Sequence, residues 1–543
     1  MKRRAAQFSW AWAAVLLNIA LCLLPACSTV PALTPENPPV TVSTPDARNT
    51  PLRATDNTRV ETGESARDLQ REIDKLIDSS PMAKARWGVY IMSDDGRVLY
   101  SRNGSQTFTP ASNMKVYTTA IALDLLGPDY RWRTSVYAGS TPDQSGTING
   151  DVTLYGRGAP DLTSPETAGN NSSLSQLADA LYSRGVRHIT GNVIADESYF
   201  KGEELGDGWQ WNDLQWYYGA QPSALTIDDN EVRVTIGPAG EKGVPASIKL
   251  DRHADYFHVA NDSITADRSE PATVGIERGL SNNQLRVWGS FPLGGREITA
   301  RIAIYQPARL AGILFLRTLR AKGILVDGDV RLRDYRSNDA NFPADRGVAL
   351  ASIESRTLGE IVKETNKESV NLSAEIIFRT LGHERGATVP DPNPKKMAMR
   401  SDSDAGAAVE RKWLSDHSID GDSASLRDGS GLSRLNVVTP EATARLLKSM
   451  SVTPEAAIFH DSLPEAGRDG TLRRRLSGET EGLVFAKTGT LTAINSLSGY
   501  AHMSDGRTLI FSIYCNDETA PSAATPVIDS IIRTLLKYSP SEH

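Results

Sequence analysis

Apolar residues at Leu69, Ile73, Leu76 and Ile77 recur at the spacing of one helix face, after which the period shortens. Trp87 to Met92, a turn at Asp94-Asp95-Gly96, and Val98 to Tyr100 then read as a β-hairpin. Phe108-Thr109-Pro110-Ala111-Ser112 runs directly into the apolar helical stretch Val116 to Leu126, which puts Ser112 at a helix N-terminus, where amide dipoles favour developing negative charge. Between about Tyr130 and Asp345 the pattern changes to short alternating runs broken by Gly- and Asp-rich turns: Asp151 to Tyr155, His188 to Ile194, Glu231 to Ile236, Gln284 to Trp288 and Glu297 to Tyr305. This predicts a β-rich insertion. Within it, Leu181 to Asp196 and Leu319 to Asp334 each run from a helix end through a Gly, an apolar residue, a Gly-x-Val and an Asp, too short a likeness to stand as a repeat.

Past Asp345 the helical period returns at Leu372 to Leu381, Ala405 to Leu414 and Glu441 to Met450. Strands follow at Leu483 to Ala486, Ser496 to Met503 and Thr508 to Tyr514, and Ile528 to Leu536 closes the chain as a helix. The closing hairpin and helix are expected to pack on the opening ones, making one α/β domain from both chain ends with the β-rich part inserted between them.

A length of 543 residues exceeds one ordinary core, which agrees with this division. The expected segments are 1–27, 28–64, 65–130, 131–345 and 346–543. Lys2, Arg3 and Arg4 followed by the apolar run Phe8 to Leu24 make the first of these an export signal. It ends in Leu24-Pro25-Ala26-Cys27, which resembles a lipobox; lipidation at Cys27 is the expectation, with an ordinary cleavable signal as the alternative. Ser28 after that Cys points, by the lipoprotein sorting pattern, to the outer membrane. Residues 28–64, dense in Pro, Thr, Ser and Asn, read as a tether spanning about 30 to 35 Å as a coil. With Cys22 in the signal and Cys27 lipidated or removed, Cys515 has no partner for a disulfide and is expected as a small buried hydrophobe. A net charge of −7 without any long basic block excludes the footprint of a nucleic-acid binder.

Three short elements carry the chemistry: Ser112-Asn113-Met114-Lys115, Ser369-Val370-Asn371 and Lys487-Thr488-Gly489. Alone, each has a bland reading, the second as a helix cap and the third as a strand-end turn. Together, each in its local context, they point to acyl transfer. The Ser-x-x-Lys spacing puts both side chains on one face of a helical turn, so Lys115 can reach the Ser112 hydroxyl. Lys115 accepts a proton only when neutral, and lowering its pKa toward 7 or 8 means about 3 to 5 kcal/mol of destabilisation of the charged form. Burial and a second cation, Lys487, are the expected causes.

This set resembles the motifs of the penicillin-binding proteins and serine β-lactamases. The resemblance implies a β-lactamase/transpeptidase-like, penicillin-recognising fold with Ser112 as nucleophile, Lys115 as general base and Ser369 as a proton relay. It implies that Asn371 bonds a substrate carbonyl, that Lys487 and Thr488 hold a terminal carboxylate, and that Gly489 leaves room for substrate along the strand. The amides of Ser112 and Thr490 would form the oxyanion hole, worth about 3 to 4 kcal/mol per donor. Ser112 and Ser369 stand 257 positions apart, far more than a β-lactamase uses between its first two motifs. That distance, with Asp428-Gly429-Ser430-Gly431-Leu432-Ser433-Arg434, resembles the low-mass D-alanyl-D-alanine carboxypeptidase/endopeptidase group, whose insert folds as two extra domains. The likeness covers about residues 66 to 540. In that group a segment similar to Trp209 through Leu225 reaches over the site, and there Asp213, Tyr218 and Arg434 would meet the zwitterionic end of a diaminopimelate side chain. Thr492 stands where the group can carry Gln. For Trp209 and Trp211 individually, core packing is the expected role.

The function so implied is hydrolysis of D-alanyl bonds in peptidoglycan stem peptides and cross-links, without cofactor or metal, with β-lactam antibiotics as covalent inhibitors and with a membrane contact only through a lipid anchor. A β-lactamase or esterase with the same acylation chemistry, and a wall-binding scaffold without turnover, are the alternatives. Dispersed histidines without His-Glu-x-x-His speak against a zinc hydrolase, and the lack of a Gly-x-Ser-x-Gly elbow speaks against an ordinary α/β-hydrolase.

Overall fold

The computed structural model describes residues 64–337, 346–391 and 400–538. The signal, the lipobox with Cys27 and the tether up to residue 63 lie outside them. Both chain ends build a single antiparallel sheet of five strands in the order Val484–Leu491, Ile494–His502, Thr508–Asn516, Arg86–Ser93, Val98–Arg102. The closure is the ladder of Arg86–Ser93 against Thr508–Asn516, which sets Trp87 opposite Cys515 and Ile91 opposite Phe511.

Alternation along these strands serves two cores. Val89, Ile91, Phe511, Ile513 and Cys515 face the terminal helices Glu64–Asp78 and Thr525–Leu536, where Leu69, Ile73 and Ile77 meet Ile528, Ile531 and Leu535. Tyr90, Met92, Ile510 and Tyr514 face the opposite layer, which holds the helices Met114–Leu126, Asn371–Arg385 and Pro440–Met450. Met114–Leu126 is buried on nearly every side, which is why its sequence is apolar all round rather than striped.

The insert forms a second core. Its larger sheet runs Val330–Arg333, Val193–Asp196, Val152–Tyr155, Arg133–Ala138, Val348–Glu354, with the helices Ser173–Ser183 and Pro307–Ala321 contributing Leu174, Leu177, Leu310 and Leu314 to that core. Between these halves, residues 231 to 303 make two three-stranded sheets. The insert is thus one α/β part with an all-β part nested in it. The last strand of its larger sheet, Val348–Glu354, pairs with Arg133–Ala138, so the insert's sheet includes residues beyond 345.

The two stretches of similar pattern are neighbours in space. Val330 to Arg333 pairs in parallel with Val193 to Asp196, and Leu325-Val326 with His188-Ile189. Each unit leaves its helix through a left-handed glycine, Gly185 at φ 88° and Gly323 at φ 86°, a backbone region that favours glycine over any side chain. The run His188 to Ile194, expected as one strand, is two short strands separated at Thr190–Asn192.

Candidate active site

The chain enters the helix Met114–Leu126 through a short 3-10 turn, Ala111–Asn113, in which Ala111 takes a left-handed φ of 50°. Asn113 anchors this turn to the sheet: its Nδ2 donates to the Lys487 carbonyl at 3.1 Å and to Ser496 Oγ at 2.7 Å, while Ser496 Oγ donates to the Pro110 carbonyl at 2.8 Å. Gly489 lies against the same turn. A Cβ there would come within 2.3 Å of Ser496 Oγ and 2.6 Å of the Pro110 carbonyl. The glycine is therefore required for strand and turn to touch, on the protein side of the strand, and not only for the substrate room that the resemblance implies.

Ser112 is half-buried and Lys115 wholly buried. Lys115 Nζ has three oxygen partners: Ser112 Oγ at 3.0 Å, Asn371 Oδ1 at 2.6 Å and the Ser430 carbonyl at 2.7 Å. Burial lowers its pKa to about 7, against the opposing pull of Asp428 and Glu375. Lys487 Nζ donates to Ser369 Oγ at 2.9 Å and to the Thr488 carbonyl at 3.0 Å. Burial and then repulsion from Lys115 hold Lys487 well below the usual lysine range. Burial is the first cause for both lysines, and the repulsion between them, being mutual, disfavours the doubly charged pair. Ser369, at φ 59°, precedes the helix that carries Asn371.

Ser112, Ser369, Asn371, Thr490, Asp213, Tyr218 and Arg434 line one cleft of about 1170 Å³. Thr488 is not itself in the lining, but its hydroxyl donates at 2.7 Å to Oγ1 of Thr471, which is. Asn371 Oδ1 accepts from Lys115 and its Nδ2 donates one N–H to the Tyr218 carbonyl of the insert at 2.8 Å, which leaves its second N–H for the substrate carbonyl that the resemblance implies. The Tyr218 hydroxyl donates to Asp213 Oδ1 at 3.4 Å, and Arg434 donates to the Thr492 carbonyl at 3.2 Å. Burial raises the Asp213 carboxyl, against the Tyr218 hydrogen bond and the Arg434 charge.

Trp209 and Trp211 are not core residues. Trp211 is 71% exposed, and the half-buried Trp209 donates its indole N–H to Asp428 Oδ2 at 2.8 Å. Asp428 is fully buried, and also accepts the amides of Gly431 at 2.8 Å and Ser433 at 2.7 Å and Asn436 Nδ2 at 2.6 Å. Sequence reasoning missed Asn113, Glu375, Ser496 and the organising role of Asp428. Only Asp428 carried a signal, at the head of a Gly- and Ser-rich run. Cys515 is buried, with its thiol pushed up to about 12 by burial and by Glu518 and Asp517. No group of three or more His, Cys, Asp or Glu suited to a metal ion occurs among the described residues.

A profile of the D-Ala-D-Ala carboxypeptidase 3 (S13) family matches residues 69–535. A D-alanyl-D-alanine carboxypeptidase of Actinomadura sp. (strain R39) is 34% identical, over 87% of this chain and 85% of its own length. The D-alanyl-D-alanine carboxypeptidase DacB of Haemophilus influenzae is 25% identical, over 78% of this chain and 83% of its own. The crystal structure of penicillin binding protein 4 from Haemophilus influenzae superposes with a TM-score of 0.72 at 26% identity, covering 86% of this chain and 99% of that one.

Proposed function

The chain belongs to the D-Ala-D-Ala carboxypeptidase 3 (S13) family and is a serine D-alanyl-D-alanine carboxypeptidase, and from that premise we propose that Ser112 is its nucleophile and Lys115 the base that activates it. The observation that carries this reading is the set of partners around Lys115. A neutral amine has two N–H groups and one lone pair. Asn371 Oδ1 and the Ser430 carbonyl can only accept, so they take the two N–H groups, and the lone pair is left facing Ser112 Oγ. The Ser112 proton passes to Lys115 as Oγ attacks the carbonyl of a D-alanyl residue.

The leaving amine takes a proton through Ser369, which lies between the cleft and Lys487. An incoming substrate carboxylate near Lys487 favours the ammonium form of that lysine, so the terminal D-alanine is bound by a charge that it helps to create. Water then hydrolyses the acyl-enzyme. Acylation by β-lactams belongs to the same reading, as does cleavage of cross-links; the size of the cleft and the insert residues in its wall favour a substrate longer than a dipeptide. The same proposal puts the enzyme in the periplasm, and the reading of Leu24-Pro25-Ala26-Cys27 as a lipobox supports a tether to a membrane surface through Cys27. Labelled palmitate incorporated by the wild type and not by Cys27→Ser is the test of that anchor.

For the reaction, Ser112→Ala is expected to lose both D-alanine release from a stem pentapeptide and covalent penicillin labelling, with an unchanged melting temperature. Retained release by that variant refutes the assignment. The lifetime of the penicillin adduct, followed by mass spectrometry, separates this reading from a β-lactamase, which would clear the adduct rapidly.

A further inference from the structure

Glu375 lies one helical turn beyond Asn371 on the helix Asn371–Arg385, so the two side chains leave the same face. It is buried, and its Oε1 accepts both the Gly429 amide at 3.1 Å and the Ser430 amide at 2.9 Å. The carbonyl of that same Ser430 accepts from Lys115 Nζ. One helix therefore holds the base twice, directly through Asn371 and indirectly through Glu375 and the Gly429–Ser430 peptides. Glu375 does not line the cleft.

We propose that Glu375 is a positioning residue for acylation: it pins the Gly429 and Ser430 amides so that the Ser430 carbonyl takes a Lys115 N–H and the amine lone pair is left for Ser112. This rests on the reading of Ser112 and Lys115 as the acylating pair. A freely turning amine would spend part of its time with the lone pair elsewhere, and orientation of this kind enters the rate directly.

The charges around it suit the role. Lys115 is faced by Asp428, Glu375 and Lys487, and Glu375 by Asp428, Arg379 on its own helix and Glu410 from the helix Asp402–Asp416. Burial and Asp428 push the Glu375 carboxyl up to about 8, against Arg379 and the Ser430 hydrogen bonds. Oε1 can accept both amides whether or not Oε2 carries a proton, so the turn is held in either state.

The test is the rate of acylation by a fluorescent penicillin, measured against pH, with the endpoint of labelling recorded separately. Glu375→Ala is expected to label to the same endpoint at least about tenfold more slowly, with the acid limb moved to lower pH because the ammonium form has lost an oriented acceptor. Glu375→Gln keeps a carbonyl oxygen for both amides and is expected within about threefold of wild type. Should the alanine variant not fold, Glu375→Asp, which draws the acid back by one methylene, is expected to be slow in the same way. A wild-type rate in Glu375→Ala or Glu375→Asp overturns the proposal, as does a Gln variant as slow as the Ala variant. A loss confined to the labelling endpoint with the acid limb unmoved also overturns it, since that is what structural damage alone would give. Failure of the wild type to release D-alanine while it still acylates would count against the substrate reading and not against this one.

Discussion

Gly489→Ala tests the architecture that brings the strand Val484–Leu491 against the nucleophile. The added Cβ would lie 2.3 Å from Ser496 Oγ, 2.6 Å from the Pro110 carbonyl and 3.0 Å from the Asn113 amide. Comfortable contacts of this kind are about 3.5 Å, so strand and turn must separate by roughly 1 Å. Ser496 cannot swing aside without cost, because its hydroxyl links Asn113 Nδ2 to the Pro110 carbonyl. Overpacking of this sort costs about 1 to 3 kcal/mol, a fall of several degrees in melting temperature for a domain of this size. The effect on rate should be larger than the effect on stability, because the displaced elements carry Ser112 on one side and Lys487 on the other, and 1 Å of misplacement is worth about a hundredfold. Stopped-flow acylation by a fluorescent penicillin, beside a thermal melt, separates the two. Acylation within about threefold of wild type in a folded Gly489→Ala protein would refute the claim that this contact sets the geometry.

The pH profile of acylation follows from Lys115. Its pKa is lowered to about 7 and its neutral form is the active one, so kcat/KM is expected to rise with pH through about 7 and to level above it, where an unperturbed lysine would place the rise beyond pH 10. An acid limb above pH 9 contradicts the assignment of Lys115 as base. Asp213→Asn is expected to raise KM by about tenfold for stem peptides with a free amino terminus on the third-residue side chain, and to leave the N-acetylated analogues unaffected; equal losses on both would remove Asp213 from recognition. Trp209→Phe deletes the bond to buried Asp428 and is expected to cost about 1.5 to 3 kcal/mol and to speed hydrogen exchange across residues 207–218; unchanged exchange there would show that the segment is held by other contacts.

The α/β domain was legible because its elements announce themselves locally. The amphipathic helix from Leu69 to Ile77, the hairpin turn at Asp94–Gly96 and the strands near the C-terminus each carry their own period, and the first two motifs sit at helix starts, while Lys487-Thr488-Gly489 lies inside the strand Val484–Leu491. What stayed hidden depends on neighbours distant in sequence. Glu375 reads as one polar residue in a helix, and only the Gly429–Ser430 turn, 54 and 55 positions away, makes it a support for the base. Trp211 carries no local mark that sets it apart from a core tryptophan; its exposure follows from the way the segment crosses the cleft rim. Gly489 was read from the substrate side, but the atoms that exclude a side chain there come from Pro110, Asn113 and Ser496.

With Lys115 as the proposed base, the insert is part of the catalytic device rather than an ornament on it. Asn371 can present Oδ1 to Lys115 only if its amide is turned that way, and the Tyr218 carbonyl, by accepting from Nδ2, is what turns it. The base is therefore oriented by four separate stretches of chain: its own helix turn, the Asn371 helix, the 428–433 loop and the insert. No one of them is near another in sequence, so the amine acquires its lone-pair direction only after the Arg86–Ser93 and Thr508–Asn516 strands have paired and the insert has docked. A catalytic lysine that is correctly oriented only in the fully assembled molecule is also one whose activity before assembly is low, and the Ser112 hydroxyl would stay unreactive for as long as either chain end or the insert remained undocked.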